Sequence, residues 1–404
     1  MQTVPVRTPE LSLSFEQAVL ARPRLRSVDL LRGLVMVLMA LDHVREYFSS
    51  VREEPVDFSQ ISTGLFLTRW VTHLCAPAFV LLAGAGTALA LANGVPRREQ
   101  ARFLAVRGLG LLLLELTVVR LLWTFNLDYG GQPLVLQAIA TLGVCMIALA
   151  GMLALPASVV AGAGIAIIAG HNLLDGLDPA ALGHWGPLWR VLHVPGPVDF
   201  PGGISLVVVY PVLPWIGVIA VGYALGPVLT APPEVRQRAL VRLGVGLTLT
   251  FLVLRAWNGY GDPAEWAMQS SVRRTVLSFF DTTKYPPSLL FLLMTLGPAL
   301  LLLAAADAWR GAAGDVLALI GRVPLFYYVL HLGVIHALAL IIGTLAGFEP
   351  TAFLTAWPFF PRGWGYGLPV IFAVWAAVVL ALYPACRWYA AVKADRPGSW
   401  LRYL

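Results

Sequence analysis

Long apolar blocks limit what this chain can fold into more than any other feature of the sequence. Blocks of about 18 or more apolar residues recur along its 404 residues, and this is the length that an α-helix needs to cross a bilayer. Charged residues make up only 12% of the chain, whereas a soluble domain carries about a quarter. The sequence therefore predicts a polytopic membrane protein and excludes a disordered chain, a collagen-like repeat and a small disulfide scaffold.

Ten membrane spans are predicted from these blocks and from the charges and Gly/Pro clusters between them. Each span is expected to be helical, because an unpaired backbone polar group is too costly in lipid. The expected fold class is therefore an all-α transmembrane helical bundle. It forms a single domain at 24–390, between an N-terminal tail at 1–23 and a C-terminal tail at 391–404. The spans are predicted at about 28–48, 65–92, 103–125, 133–152, 156–172, 204–229, 240–257, 286–308, 316–343 and 367–389.

The distribution of basic residues predicts the orientation of the spans. When the N-terminus is assigned to the cytoplasm, most of the 28 Lys and Arg residues fall on the cytoplasmic side, as the positive-inside rule requires. Both tails are then cytoplasmic, and most loop acids lie outside. The net charge of +6 follows from this topology. The expected partner is the lipid bilayer, and no nucleic-acid partner is expected.

Ionisable residues near the outer ends of the first two spans are candidates for function, because such residues are costly in lipid. Asp42 and His43 end the first span, and Arg69 and His73 share one face of the second. A lone histidine in a span is more often a helix–helix hydrogen-bond partner. Two histidines that enter from adjacent helices at one level favour a functional site. Neighbouring residues do not face each other on a helix, so Asp42 is expected to pair with Arg45 or with another helix.

The inner end of the first span carries a second polar pair. Asp29 and Arg32 lie on the same stripe of the helix as His43. Arg32 and His43 are about 17 Å apart along the helix axis, at 1.5 Å per residue. Asp29 and Arg32 form either a structural ion pair or part of a clamp for an anionic ligand.

Other polar residues are predicted within the membrane. Glu115 lies near mid-bilayer and needs a partner, for which Arg107 or Arg120 is available. His331 and His336 lie five residues apart and do not share a helix face, although either can line a central cavity. No HExxH motif, zinc-type His/Cys cluster or GxSxG elbow occurs. Neither a metal site nor a serine hydrolase is therefore expected.

Five motifs together resemble one known family. They are SVDLLRG at 27–33, DHVR at 42–45, TRWVTHLCAP at 68–77, TKYPPS at 283–288 and GRVPLFYY at 321–328. In this order, over about 24–390, the chain resembles the bacterial branch of the heparan-α-glucosaminide N-acetyltransferase-like membrane proteins. The motifs are more specific for the family than for an activity.

The resemblance implies acyl transfer across a membrane. The family's lysosomal enzyme takes an acetyl group from cytoplasmic acetyl-CoA and delivers it to a sugar amine in the lumen, which is topologically outside. In that enzyme an asparagine ends the first span and a histidine soon after it acts in catalysis. Asp42 takes the asparagine-like position here, and the loop at 49–60 contains no histidine. His43 and then His73 are the nearest replacements. A multi-pass protein of the bacterial cytoplasmic membrane, acting on a glycan or another polar acceptor, is implied.

The residues also suit this chemistry without the family. A histidine can serve as the base for an acceptor that attacks a thioester, and Arg69 or backbone N–H groups can stabilise the oxyanion. Direct transfer and an acyl-histidine intermediate both fit. The predicted catalytic residues are His43, His73, Asp42 and Arg69. Residues expected to bind acetyl-CoA or another acyl-CoA are Arg32, Asp29, Arg97, Arg98 and Arg322. The predicted acceptor-side residues are Asp281, Lys284 and Tyr285.

A carrier or permease for a small metabolite is the alternative function, with the same polar residues as its pathway. No internal repeat and no pair of interrupted spans is visible in the sequence, which disfavours a carrier. A monomer and a homodimer both fit the sequence.

Overall fold

The computed structural model describes residues 25–51, 61–129, 133–199, 205–355 and 360–396. These residues are mostly helical, as predicted. The predicted N-terminal tail at 1–23 lies outside the described residues. The last helix continues into the predicted C-terminal tail and ends at Asp395.

Sixteen α-helical segments and three strands occur in the described residues. The helices are α1 (Arg26–Phe48), α2 (Thr63–Thr72), α3 (Cys75–Ala92), α4 (Arg97–Leu114), α5 (Arg120–Thr124), α6 (Ala138–Met152), α7 (Ala157–Gly170), α8 (Gly186–Leu192), α9 (Leu213–Ala224), α10 (Gly226–Leu229), α11 (Pro233–Trp257), α12 (Val272–Phe280), α13 (Leu289–Ala306), α14 (Ala312–Arg322), α15 (Pro324–Leu345) and α16 (Leu368–Asp395). The strands are β1 (Leu134–Leu136), β2 (Gly196–Asp199) and β3 (Ser205–Val208). A π-helical turn, Glu115–Val119, joins α4 to α5, and short 3₁₀ segments occur at His171–Leu174, Pro179–Trp185 and Pro350–Phe353.

Several of these helices are suited to a membrane. Six helical segments of the described chain are long and apolar enough to cross a bilayer. They are Thr63–Ala92, Ala157–Leu174, Pro233–Trp257, Leu289–Ala306, Pro324–Leu345 and Leu368–Asp395. The 23-residue helix α1 carries ionisable residues at both of its ends. The protein is thus a multi-pass membrane protein, while the number of ten spans and the orientation of the chain ends stay predictions.

The expectation of a wholly α-helical fold is wrong at two spans. Strands β1 and β3 occupy the starts of the spans predicted at 133–152 and 204–229, and they pair in parallel. Strand β2 adds to β3 in the antiparallel direction, which gives the order β1-β3-β2. Pairing satisfies the backbone polar groups between the strands, whereas β1 and β2 each have one edge without a strand partner in the described residues, so this sheet does not replace a helix in lipid. Each of β1 and β3 leads into a short apolar helix, α6 or α9.

Helix α1 is the central element of the bundle. It packs against α2, α3, α13, α14, α15 and α16. The contact with α14 is the closest, because Gly33 of α1 and Gly321 of α14 each face the backbone of the other helix, at Leu317 and Asp29. A side chain at either glycine would collide with that backbone. The same helix therefore carries both predicted polar pairs, Asp29/Arg32 at one end and Asp42/His43 at the other.

Candidate functional site

An ion network surrounds Asp42 at the C-terminal end of α1, the end that is predicted to be the outer one. The Asp42 Oδ1 atom lies 3.0 Å from Arg45 Nη2 and accepts a 2.8 Å hydrogen bond from the Thr72 hydroxyl. Its Oδ2 atom lies 3.8 Å from Lys284 Nζ. Asp42 therefore pairs with Arg45 and with other elements, as predicted, and its charge is balanced by two cations. The network joins α1, α2 and the loop before α13.

The side chain of Lys284 is held in its charged form. Burial lowers the pKa of Lys284, but the neighbouring Tyr285 and Asp42 more than offset this effect and raise the pKa above its usual value. The ammonium lies 5.1 Å from the centre of the Tyr285 ring. The Tyr285 hydroxyl in turn lies 3.4 Å from the hydroxyl of Tyr210, which follows β3. The predicted acceptor-side residues Lys284 and Tyr285 thus adjoin the predicted catalytic residue Asp42.

Two residues that sequence analysis missed hold the loop that carries Lys284. The Asp262 carboxylate accepts hydrogen bonds from the Thr283 backbone N–H at 2.9 Å and from the Ser288 hydroxyl at 2.6 Å. Arg255 is almost completely buried and donates to the backbone carbonyl of Asp281. Asp281, the third predicted acceptor-side residue, thus anchors the loop through its backbone. No local motif marks Asp262 or Arg255, because their partners lie some 20 residues further along the chain.

The second part of the site is a pair of histidines whose near-parallel rings meet edge to edge. The rings of His43 on α1 and His331 on α15 have centroids 4.9 Å apart and an angle of 6° between their planes. His43 Nδ1 and His331 Nε2 lie 2.8 Å apart, and His331 Nδ1 lies 2.9 Å from the Tyr327 carbonyl oxygen. His331 is fully buried, whereas His43 is half-buried. In the described chain no partner is present for His43 Nε2, so this nitrogen faces the open side of the pair.

Two aromatic residues missed by the sequence analysis enclose His43. The ring centroid of Trp123 lies 5.2 Å from that of His43, and that of Tyr328 lies 6.1 Å away, both in edge-on geometry. The Trp123 indole N–H is buried and has no acceptor among the described residues, although the Tyr328 hydroxyl lies against it. An indole N–H can only donate. The Trp123 N–H is therefore a donor beside the half-buried imidazole, with the Tyr328 hydroxyl as a neighbour.

The second predicted histidine, His73, packs against a different ring from His43. The His73 ring packs against Phe291, with centroids 5.3 Å apart. Both of its nitrogens are buried and have no hydrogen-bond partner in the described part of the chain. The charges of Lys284, Arg69 and Asp42 act on the ring. The described contacts join His43 to His331 and not to His73, although Asp42, Lys284 and Arg45 act on both histidines.

The expected ion pairs of Glu115 are wrong. Its carboxylate accepts a 3.0 Å hydrogen bond from the backbone N–H of Ala140, in the first turn of α6. Arg120 instead donates to the backbone carbonyls of Asn126 and Asp128. A helix N-terminus offers free N–H groups and a partial positive charge, and it thereby replaces the arginine as partner. Glu115 therefore stabilises the start of α6, the helix that follows β1.

His336 lies away from the paired histidines. The prediction that it does not share a helix face with His331 is confirmed. Its Nδ1 lies 2.8 Å from the Leu122 carbonyl and its Nε2 lies 2.7 Å from the Phe353 carbonyl. The ring also stacks on Phe125, with centroids 3.9 Å apart. The neutral ring has one N–H to donate to these carbonyls, and this contact holds α15 against neighbouring backbone.

The N-terminal end of α1, which is predicted to be the inner one, carries the other predicted pair. Arg32 lies 3.1 Å from Asp29 and donates at 3.2 Å to the Gly321 carbonyl. Arg322, whose side chain is about half exposed, lies 4.0 Å from the second Asp29 oxygen. Arg97 and Arg98 are exposed in the first turn of α4. The Asp29–Arg32 ion pair is present, and the binding of an acyl donor by these residues stays a prediction.

The fold and the site together define a multi-pass membrane protein with an imidazole at one end of a central helix and a basic cluster at the other. No group of three or more His, Cys, Asp or Glu that could hold a metal is found among the described residues. A sequence model of the catalytic region of heparan-alpha-glucosaminide N-acetyltransferase matches residues 24–253, more than half of the chain. The chain belongs to this family of membrane acetyltransferases. No curated protein matches the sequence.

The matched region covers only part of the site. It contains both ends of α1, His73 and Glu115, whereas Lys284 and His331 lie beyond it. The contacts of Asp42 with Lys284 and of His43 with His331 therefore join the matched region to the remainder of the chain.

Proposed function

We propose that the protein transfers an acyl group, acetyl in the first instance, from a cytoplasmic CoA thioester to an extracytoplasmic acceptor. The acceptor is a sugar amine or a similar polar nucleophile. The family supports acyl transfer as the reaction. The observation that carries the proposal for this chain is the arrangement along α1, with a half-buried imidazole at one end and Arg32 with Arg322 at the other.

His43 is the base in this proposal. Its Nε2 takes the proton from the attacking amine or hydroxyl while the new bond forms to the thioester carbonyl carbon. The C–S bond then breaks, and the protonated His43 returns the proton to the CoA thiolate. The products are the acylated acceptor and free CoA, and the enzyme regains its neutral imidazole. Only the neutral ring can start the cycle.

The tetrahedral intermediate needs donors for its oxyanion. The buried Trp123 N–H, which lies beside His43 and against the Tyr328 hydroxyl, supports such a role. Arg69, the donor expected from the sequence, lies one turn before His73 on α2. In this proposal His73 and Arg69 contact the acceptor, together with Lys284 and Tyr285.

The phosphates of the donor require cations. Arg322 is half exposed, and Arg97 and Arg98 are exposed, so all three are available to an incoming nucleotide. Arg32 is partly exposed and is held by Asp29. The proposed donor therefore lies with its nucleotide at the inner end of α1 and its thioester towards His43.

Binding of acetyl-CoA to the purified protein in nanodiscs tests the proposal. Acetyl-CoA should bind, and free thiol should appear only after an amino sugar is added. Dephospho-acetyl-CoA, which lacks one phosphate, is the matched control and should bind more weakly. If CoA thioesters neither bind nor are consumed while the protein transports a solute, the proposal is wrong and the carrier function is correct.

A further inference from the structure

The hydrogen bonds of His331 determine which nitrogen of His43 can act as a base. The Tyr327 carbonyl oxygen is only an acceptor, so His331 Nδ1, 2.9 Å away, must carry a hydrogen and donate it. In a neutral ring the other nitrogen, Nε2, then has a lone pair. His331 Nε2 therefore accepts a hydrogen bond, and the group 2.8 Å from it is His43 Nδ1.

The same reasoning applies one step further along the chain of rings. His43 Nδ1 must carry the hydrogen that His331 Nε2 accepts, so the neutral His43 ring has its lone pair on Nε2. This is the half-buried nitrogen without a partner among the described residues. The two rings are near-parallel, with 6° between their planes, and the hydrogen bond joins them.

The surroundings favour two neutral rings. His331 is fully buried between Tyr327 and Tyr328. No carboxylate of the described residues hydrogen-bonds to either ring, and the nearby Asp42 is already paired with Arg45 and Lys284. A buried imidazolium without a carboxylate partner would be costly.

We infer that His331 is a positioning residue that fixes His43 in the tautomer with a free Nε2, through the relay Tyr327 carbonyl, His331, His43. The inference rests on the proposed function, in which His43 Nε2 is the base. When His43 gains a proton at Nε2, its Nδ1–H still donates to His331, so the new charge is shared with a buried acceptor. In water the Nε2–H tautomer of histidine predominates, and a His43 without His331 would present a hydrogen where the base must act.

Nitrogen-15 spectroscopy of the histidine rings tests the inference without any assay of activity. The wild-type protein, labelled at histidine and studied in nanodiscs near neutral pH, should give a His43 ring with protonated Nδ1 and bare Nε2. His43→Gln identifies the signals by removing them. In His331→Leu the His43 ring should change to the Nε2–H form, whereas His331→Gln, whose amide oxygen can accept from Nδ1–H, should restore the original form.

Kinetics of the same variants give the second readout. His331→Leu should lower kcat by about 10- to 100-fold with little change in the KM of either substrate, less than the roughly 10⁴-fold loss when a charged group that orients a catalytic histidine is removed. His331→Gln should recover most of that loss. His336→Gln, a buried histidine of the same helix that binds only backbone carbonyls, is the control and should keep the wild-type kcat.

The two readouts separate the inference from the proposed function. A wild-type His43 with a protonated Nε2 overturns the inference whatever the activity. A His331→Leu protein with unchanged kcat and an unchanged His43 signal also overturns it. If the tautomer is as inferred but no variant of the protein, wild type included, consumes a CoA thioester, the proposed function fails and the positioning by His331 stands.

Discussion

The two ends of α1 carry the same local pattern, an aspartate followed three residues later by an arginine, in different surroundings. At the inner end Asp29 pairs with Arg32, and Arg32 also donates to the Gly321 carbonyl of a closely packed helix. At the outer end Asp42 pairs with Arg45, and its oxygens also face Thr72 and Lys284. The ion pair itself is thus common to both ends and does not distinguish their roles.

What differs is the residue after each aspartate. Leu30 follows Asp29 and is buried in the core, whereas His43 follows Asp42 and lies beside Trp123, with no partner for its Nε2 among the described residues. Successive helix residues point about 100° apart. The outer pair therefore holds α1 on one face while the histidine lies on another, and the inner pair joins α1 to α14, which ends at Arg322. The comparison predicts chemistry at the outer end, and donor binding and packing at the inner end.

The largest effect is expected from His43→Gln. Turnover should fall by about 10²–10⁴-fold, the usual contribution of general acid–base catalysis. Donor binding and thermal stability should be unchanged, because Gln keeps a side chain of similar size at a half-buried position. The wild-type rate should rise with pH until the imidazole is neutral, since only the neutral ring accepts a proton. Because burial favours the neutral ring, this rise should lie below the neutral range, and the variant should lose it. His73→Gln is the companion variant. Near-normal turnover in both would assign the outer residues a structural role.

A smaller effect is expected from Lys284→Met, which removes one of the two cations facing Asp42. We expect the acceptor KM to rise by about 10-fold, which is typical for the loss of a charged contact, and the donor Kd to stay constant. The free energy of unfolding should fall by about 1–3 kcal/mol, below the 3–5 kcal/mol for an orphaned buried charge, because Arg45 still faces Asp42. Lys284→Arg, which keeps the charge, is the control. A weaker donor Kd with a normal acceptor KM would contradict the placement of Lys284 on the acceptor side.

Arg32→Ala tests the inner end. The apparent KM for acetyl-CoA should rise by about 10-fold, with little change for the acceptor. Steady-state kinetics with each substrate varied in turn measures the two values. Arg26→Ala removes a separate ion pair with Asp315 at the same end and should change neither value. Equal losses for both substrates, together with a lower Tm, would show that Arg32 serves only the ion pair with Asp29.

The smallest effect on turnover is expected from Gly33→Ala, which inserts a methyl group against the backbone of α14. Overpacking of this kind costs about 1–3 kcal/mol, so the Tm should fall while the protein that remains folded keeps its kcat. Gly86→Ala in α3 meets no atom within 4 Å and is the matched control. A Tm equal to that of the control would mean that α1 and α14 are not in close contact.

The apolar blocks predicted much of the fold, because a bilayer allows few alternatives to long helices. Each predicted span contains an α-helix. The sheet was missed because β1 has only three residues and pairs with Leu206 and its neighbours some 70 residues later. A strand of that length has no periodicity that could be detected.

The sequence predicted the individual residues of the site better than the contacts between them. Helical spacing correctly paired Asp42 with Arg45, since both lie on one helix. The partner of His43 lies 288 residues away, and no spacing rule reaches that far. An arginine was predicted as the partner of Glu115 because only charged side chains were considered. The partner is instead the start of α6, which offers its free N–H groups to the carboxylate.

Transfer across a sealed membrane tests the central claim most directly. The protein is reconstituted into liposomes with radiolabelled acetyl-CoA inside and an amino sugar outside, and label on the external sugar is followed for the wild type and His43→Gln. The account predicts that labelled sugar accumulates outside as free CoA accumulates inside, and that the variant forms at least 100-fold less. Label that stays inside with the wild type, or equal transfer by the two proteins, would contradict it.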